Sequence, residues 1–108
     1  MPNTFKSNLT SGIGTTLSNV YVCQAATQTT VIGMSLANKT INDITANVII
    51  YQGATSCFLA FQSQIPVGQS LIPVGGDQKL VLESGEYLQV QSSAAASIDV
   101  VVSTLEIT

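Results

Sequence analysis

Apolar and polar residues alternate along most of this chain, and the alternation is clearest near the carboxyl end. Leu88 and Val90 alternate with polar or amphipathic neighbours at the two-residue period of a half-buried strand. The next segment divides into two apolar sets, Ile98, Val100 and Val102 on one face and Val101, Leu105 and Ile107 on the other. Apolar residues on both faces predict a strand that is covered on both sides.

The same period predicts strands further upstream. They cover residues 18–23, 30–37, 44–51, 57–62 and 80–82. The pattern places Ile32, Met34 and Leu36 on one face of the second of these strands. The strands at 44–51 and 57–62 are separated by about five residues, which favours an antiparallel hairpin.

Two further expectations concern the middle of the chain. Phe58 and either Leu59 or Phe61 are expected in the core, because they lie in a short apolar strand. Pro66 and Pro73 exclude a long central strand between them, since proline cannot donate a ladder hydrogen bond. This segment is therefore expected to form only short edge pairings.

Together these patterns predict an all-β fold. Seven or eight short strands, frequent turn residues and no convincing helical period are typical of an antiparallel β-sandwich, Ig-like or jelly-roll-like, with a barrel as the nearest alternative. A length of 108 residues suits a single domain covering residues 1–108. Residues 1–16 are interpreted as either an extended arm or a first edge strand.

Charged residues are scarce in this sequence, and their scarcity bears on whether the protein is a free monomer. Charged residues make up 8% of the chain, whereas globular proteins average about 25%. Exposed charge normally protects a monomer from self-association, so its scarcity favours assembly into something larger. The alternative is a secreted sandwich kept soluble by its twelve serines and twelve threonines. A net charge of −3 without a basic cluster argues against direct nucleic-acid binding.

Neither a secretory signal nor a membrane helix is expected from the sequence. The amino-terminal segment has no apolar run of signal-peptide length, and the longest uninterrupted apolar run is 48–51. Cys23 and Cys57 both lie in apolar segments, where a thiol behaves as a small hydrophobe, although one bridge between them is the alternative. Free thiols are favoured, which fits assembly in a reducing cytoplasm.

Candidate catalytic and metal-binding chemistry is weak. The chain has no histidine, the usual base for a nucleophile and the usual zinc ligand, so we expect no enzyme, no cofactor and no metal site. Glu83 and Glu86 are close in sequence but flank a Ser-Gly turn, which favours a solvated hairpin over a glycosidase pair. Asp77 after two glycines is one weak calcium candidate. The tyrosines remain possible surface contacts: Tyr21, Tyr51 and Tyr87.

Several segments resemble a group of small β-sandwich virion structural proteins of tailed bacteriophages. The resemblance is carried by Phe-Lys-Ser-Asn-Leu at 5–9, Ser-Asn-Val-Tyr-Val at 18–22, Val-Ile-Gly-Met-Ser-Leu-Ala-Asn at 31–38, Ile-Pro at 65–66, Lys-Leu-Val-Leu-Glu-Ser-Gly-Glu-Tyr-Leu-Gln-Val at 79–90, and Ile-Asp-Val-Val-Val-Ser-Thr-Leu-Glu at 98–106. It implies a structural protein present in many copies at the phage neck, on the tail, or as capsid decoration. Its partners would be itself and other virion proteins, after assembly in the host cytoplasm.

The resemblance also implies a role for the terminal strand at 98–107, which has apolar residues on both faces. If Ile98, Val100 and Val102 face the core, the other face is free for a partner. The candidate interface residues are Phe5, Leu9, Val101, Leu105 and Ile107, with residues 5–9 acting as an arm that adds a strand to a neighbour. The competing hypothesis is a carbohydrate- or receptor-binding module, which predicts a monomer with an aromatic or acidic pocket.

Overall fold

The computed structural model describes residues 3–75 and 79–108, and these residues form nine β-strands and no helix. The strands are β1 Asn3–Ile13, β2 Ser18–Val22, β3 Gln28–Asn38, β4 Ile44–Gln52, β5 Thr55–Ile65, β6 Ser70–Val74, β7 Leu80–Leu82, β8 Tyr87–Ser92 and β9 Ile98–Ile107. The described part of the chain therefore offers no helix that is long and apolar enough to cross a membrane.

The strands form two antiparallel sheets that confirm the predicted β-sandwich. The five-stranded sheet has the order β1-β9-β3-β6, with β7 also paired to β3, and the four-stranded sheet has the order β2-β8-β4-β5. The predicted hairpin is present as β4 and β5. The count exceeds seven or eight because residues 3–13 and the proline-containing segment Ser70–Val74 both form strands.

One apolar core lies between the two sheets. Its largest fully buried apolar side chains are Leu36, Ile65, Leu82, Leu88, Ile98, Val31, Val48, Val74, Val90, Val100 and Val102. On β9 the core receives Ile98, Val100 and Val102, as the alternation predicts, and the odd-numbered residues from 99 to 107 point away from it. The prediction that β9 is covered on both sides was therefore wrong for the single chain, because its outward face is not covered and Val101 on that face is exposed.

Two predictions about the faces of strands were wrong in part because of β-bulges. In β3 the pairing with β9 shifts register between Val31 and Gly33, so Val31 is buried with Met34 and Leu36 while Ile32 is only half-buried. An extra residue in one strand reverses the inward and outward positions beyond it. The strict alternation that placed Ile32 on the same face as Met34 and Leu36 fails at this point.

The second prediction concerns β5 and was correct for one residue only. Leu59 packs against the core, as one of the two alternatives had it, but Phe58, which was expected in the core, is 52% exposed, and Phe61 is 60% exposed. β5 is an edge strand whose pairing with β4 shifts register on both sides of Val48, and Gln62 has a φ of 47°. These irregularities turn both phenylalanine side chains outward.

The proline prediction was correct. β5 ends at Ile65, directly before Pro66, and Pro73 lies in β6, the five-residue strand at the edge of the larger sheet. An edge strand tolerates a missing N–H, because that position can face solvent rather than a neighbouring strand.

Candidate functional site

The candidate interface residues lie together on the outer surface of the five-stranded sheet. In the β1–β9 pairing Phe5 lies opposite Leu105, and Leu9 lies opposite Val101. Directly opposite residues of an antiparallel pair point to the same side of the sheet. We call this surface the outer face and define it by five residues: Phe5, Leu9, Val101, Leu105 and Ile107.

The two residues from β1 are the most accessible members of the outer face. Phe5 is 73% exposed and Leu9 is 75% exposed, although both are large apolar side chains. Val101 is also exposed, whereas Leu105 and Ile107 are half-buried between their neighbours. A shallow depression beside Phe5 is lined by Ile32 and Ser103. The outer face therefore combines protruding apolar groups with a small recess.

Sequence reasoning missed two apolar residues that extend this surface. Thr30 pairs with Leu105 on one side and with Val81 on the other, so the row that begins at Phe5 crosses four strands and ends at exposed Val81. Ile72 in β6 is also exposed. The signal for Val81 was present in the sequence, since it alternates with Leu80 and Leu82.

Charge lies at the rim of the outer face rather than within it. Asp99, at one end of β9, forms an ion pair of 3.0 Å with Lys39 and accepts hydrogen bonds from the Ser11 hydroxyl and the Gly12 N–H. The Lys39 contact, followed by those from Gly12 and Ser11, lowers the pKa of Asp99. The paired positions between Asn3 and Leu9 on β1 and their partners on β9 carry no charged side chain on this side. An apolar centre with a charged rim is typical of protein interfaces.

Behind the outer face, the inner side of β1 is held by a polar network. Lys6 forms a 3.0 Å ion pair with Glu106, and the Tyr21 hydroxyl donates a 2.7 Å hydrogen bond to the same carboxylate. Tyr21 and Thr29 are joined by a further hydrogen bond of 2.7 Å, and the Cys23 thiol lies 3.3 Å from the Thr29 hydroxyl. The network connects both sheets at the end of the sandwich.

Burial and hydrogen bonding shift both titratable groups of this network. The Tyr21 hydroxyl and then the Lys6 ammonium lower the pKa of Glu106, because both stabilise the carboxylate. Burial, and then the Glu106 carboxylate, raise the pKa of Tyr21. Tyr21 was a predicted surface contact, and this was wrong because it is only 6% exposed. A register shift between Asn19 and Tyr21 in the β2–β8 pairing turns it inward beside Val20.

The opposite side of the sandwich carries a smaller aromatic cluster. Tyr51 and Tyr87 stack with ring centroids 4.6 Å apart, and Phe58 meets Phe61 edge to face at 4.8 Å. Both tyrosines are half-buried, while the phenylalanines are exposed. These rings therefore offer a second surface to a partner, separate from the outer face.

The weaker chemical candidates of the sequence have structural roles or lie elsewhere. The Glu86 carboxylate accepts a 2.8 Å hydrogen bond from the Glu83 N–H, which closes the β7–β8 turn. Asp77, the calcium candidate, lies outside the described residues. Within 3–75 and 79–108 no three acidic, histidine or cysteine side chains are grouped so that they could hold a metal ion. Both cysteines are free thiols, Cys23 buried and Cys57 exposed, so Cys57 is not the small core hydrophobe that was expected.

The fold resembles that of a solved pilus protein. A protein of Bacillus endospore appendages, described as a novel family of disulfide-linked pili, superposes with a TM-score of 0.53 at 11% identity, covering 98% of this chain and 88% of the other. At this identity the likeness is one of fold.

Two crystal structures of a pentameric capsid protein from metagenomic phage sequences give TM-scores of 0.42 at 19% identity. They cover 92% of this chain and 59% and 60% of the capsid chains, and their TM-score falls short of a shared fold. No protein-family model and no curated protein matches the sequence.

Proposed function

We propose that this chain is a non-enzymatic structural subunit that assembles with copies of itself through the outer face. The observation that carries the proposal is the concentration of Phe5, Leu9 and Val101 as exposed apolar side chains on one charge-free stretch of sheet. Exposed apolar side chains grouped on one face of a small domain mark a site of interaction. A second copy is the favoured occupant, because the same face on that copy is equally apolar and needs no partner charge.

Burial of the outer face would contribute favourable free energy to association. Full burial of an exposed leucine or phenylalanine contributes about 1.5–3 kcal/mol. Phe5 and Leu9 are about three-quarters exposed, so these two residues contribute about 2–4 kcal/mol per subunit before the cost of association. A two-fold contact uses the face twice and doubles this contribution.

We further propose that the assembly is part of the virion of a tailed bacteriophage. Its place would be the neck, the tail or the capsid surface. The support is the resemblance of the strand segments at 31–38, 79–90 and 98–106 to virion proteins of such phages. The scarcity of charge supports the same role, since a subunit inside a particle does not depend on charge repulsion for solubility. Its partners would then be itself and neighbouring virion proteins, met in the host cytoplasm.

The test of self-assembly is the solution mass, measured by light scattering behind a sizing column, for the wild type and for Phe5→Asp. We expect a defined oligomer for the wild type and a folded monomer for the variant. Phe61→Asp is the matched control, because it makes the same substitution at an exposed phenylalanine on the opposite side of the sandwich. A wild type that stays monomeric at all concentrations, or equal loss of mass in both variants, would refute the outer face as the contact.

The virion assignment has its own test. Particles of the encoding phage, purified on a density gradient, are expected to contain this chain in many copies by quantitative mass spectrometry. Its absence from particles, together with its presence in the infected-cell lysate, would contradict the assignment without affecting self-assembly.

A second candidate function is a carbohydrate- or receptor-binding module, favoured by the exposed Phe58 and Phe61 beside the Tyr51–Tyr87 stack. Aromatic rings stack on apolar faces of ligands and dominate many interfaces. This candidate predicts glycan-array binding by a monomer, lost in Phe61→Asp and retained in Phe5→Asp. The same pair of variants thus separates the two functions.

A further inference from the structure

Strand β1 has the reverse of the side-chain polarity expected for a strand of a sandwich. Its inward positions opposite buried β9 residues are Thr4, Lys6, Asn8 and Thr10, whereas its outward positions include Phe5 and Leu9. An ordinary edge strand places its apolar side chains in the core. Residues 3–10 therefore contribute almost no apolar side chain to the core of their own domain.

The contacts that hold residues 3–10 are polar and are made mainly with β9. Besides the backbone ladder, Lys6 pairs with Glu106, and the Asn8 amide donates to the Val102 carbonyl at 3.2 Å. The Thr104 hydroxyl donates to the Lys6 carbonyl at 3.5 Å. The β9 groups that make these contacts belong to Val102, Thr104 and Glu106. They are present in the same register on β9 of any other copy of the chain.

The inner side of this segment is only partly covered by the opposite sheet. An open groove runs between β1 and β2, and it is lined by Lys6, Asn8, Asn19, Gln24 and Glu106 together with Val20, Tyr21 and Val22 of β2. Separation of residues 3–10 from β9 consequently exposes backbone and polar groups, which water can satisfy. A strand normally stays in its sheet because its separation would expose its own apolar side chains to water. This free-energy cost is small for residues 3–10.

A hinge separates this segment from the fixed part of the chain. The β1–β9 register shifts between Thr10 and Ile13, and Gly12 in that interval has a φ of 73°, a conformation that glycine adopts without strain. Beyond it, Ile13 is buried and its carbonyl accepts a 2.9 Å hydrogen bond from the Ser97 N–H. The Gly14 carbonyl accepts another, of 2.8 Å, from the Ser92 N–H. The chain is anchored by a buried apolar side chain after Gly12, whereas before it the chain is held by the backbone ladder and polar contacts with β9.

We propose that residues 3–10 are exchanged between copies, so that β1 of one chain pairs with β9 of another. The inference rests on the self-association proposed above and assigns to it a mechanism. Exchange of an identical element recreates every contact of the closed monomer, so only the hinge has to change conformation. Phe5 and Leu9 then lie on the neighbour's outer face, which links the two domains with a strand as well as with an apolar contact.

The test places one cysteine on each of two chains, in a Cys57→Ser background that removes the exposed thiol. Ser7 lies directly opposite Ser103 in the β1–β9 register, at a separation that a disulfide spans. Ser7→Cys chains are mixed with Ser103→Cys chains that carry a mass tag, incubated, and oxidised. A disulfide between the two different chains forms only where β1 of one lies beside β9 of the other. Non-reducing gels and mass spectrometry give its yield.

Two controls make the outcome decisive. A single chain with both Ser7→Cys and Ser103→Cys is expected to close on itself, which shows that the pair is competent; Leu9→Cys with Val101→Cys replaces it if it does not close. Ser35→Cys mixed with Ser103→Cys reports contact between faces without exchange, since Ser35 lies on the central strand β3 beside β9. We expect the Ser7 and Ser103 mixture to give several-fold more mixed disulfide than the Ser35 mixture.

The possible results separate exchange from assembly. An oligomer by light scattering with no excess of the Ser7–Ser103 mixed disulfide would overturn the exchange and leave the outer face in place. The mixed disulfide in an oligomer that Phe5→Asp does not dissociate would support exchange and refute the outer face. A monomer without mixed disulfide would overturn both.

Discussion

Removal of one hydroxyl, in Tyr21→Phe, tests whether the buried network stabilises the sandwich. The substitution deletes the 2.7 Å hydrogen bond to Glu106 and the contact with Thr29, and it keeps the aromatic ring in place. A hydrogen bond to a charged group contributes about 1.5–3 kcal/mol. We therefore expect the free energy of unfolding to fall by about 2 kcal/mol and the melting temperature by about 6–12 °C.

The loss of stability in Tyr21→Phe is predicted to depend on pH. The pKa of Glu106 is lowered in the folded state, so its stabilisation is fully present above the unfolded value of about 4.3 and is lost as the pH falls through the folded value. Once the carboxyl is protonated, the Tyr21 hydrogen bond joins two neutral groups and is weaker. The loss caused by Tyr21→Phe should therefore be largest at neutral pH and should shrink at about pH 3.

Urea denaturation followed by circular dichroism, at both pH values, measures this difference. Tyr51→Phe is the matched control, because it removes a tyrosine hydroxyl and keeps the ring stack on Tyr87. A loss below about 0.5 kcal/mol for Tyr21→Phe at neutral pH, or an equal loss at both pH values, would refute the assigned role of the network.

Three other measurements probe the core, a turn and the thiols. Leu88→Ala, at a fully buried core position, should lower the free energy of unfolding by about 2–5 kcal/mol in a denaturant titration, and a loss below 1 kcal/mol would contradict its burial. Asn38→Ala removes 2.8 Å hydrogen bonds to the carbonyls of Asn42 and Ile65 and should cost about 1–3 kcal/mol by the same assay. An aromatic disulfide reagent should titrate one thiol, Cys57, in the native protein and a second only in denaturant; two fast native thiols would contradict the burial of the other cysteine.

Regular alternation made most of the sandwich predictable from the sequence. β4, β8 and β9 keep the two-residue period along their inward positions, and their core residues follow from it. β3 and β5 do not, because a register shift at Val31–Gly33 and two shifts around Val48 reverse the faces within a strand. A bulge depends on the partner strand and leaves no periodic mark in the sequence.

The candidate site was also predictable from the sequence only in part. The apolar set of β9 follows from its own pattern, but its alignment with Phe5 and Leu9 depends on β1 and β9 being neighbours, a pairing of distant segments. The Tyr21–Glu106 hydrogen bond joins residues 85 positions apart in sequence, and no local sequence pattern predicts it. Sequence patterns identify the faces of single strands, whereas the assembly of faces into a surface requires the sheet order.

The pairing of β1 with β9 also has a consequence for folding during protein synthesis. Residues 3–10 leave the ribosome before strands β2 to β8, whereas the β9 residues that they pair with leave after those strands. Pairing at such a large sequence separation is intrinsically slow. While a nascent β1 awaits its own β9, the finished β9 of an adjacent chain on the same messenger RNA presents the same hydrogen-bonding groups. Ribosomes spaced along one transcript would then determine how often a chain completes its sheet with a neighbour's strand.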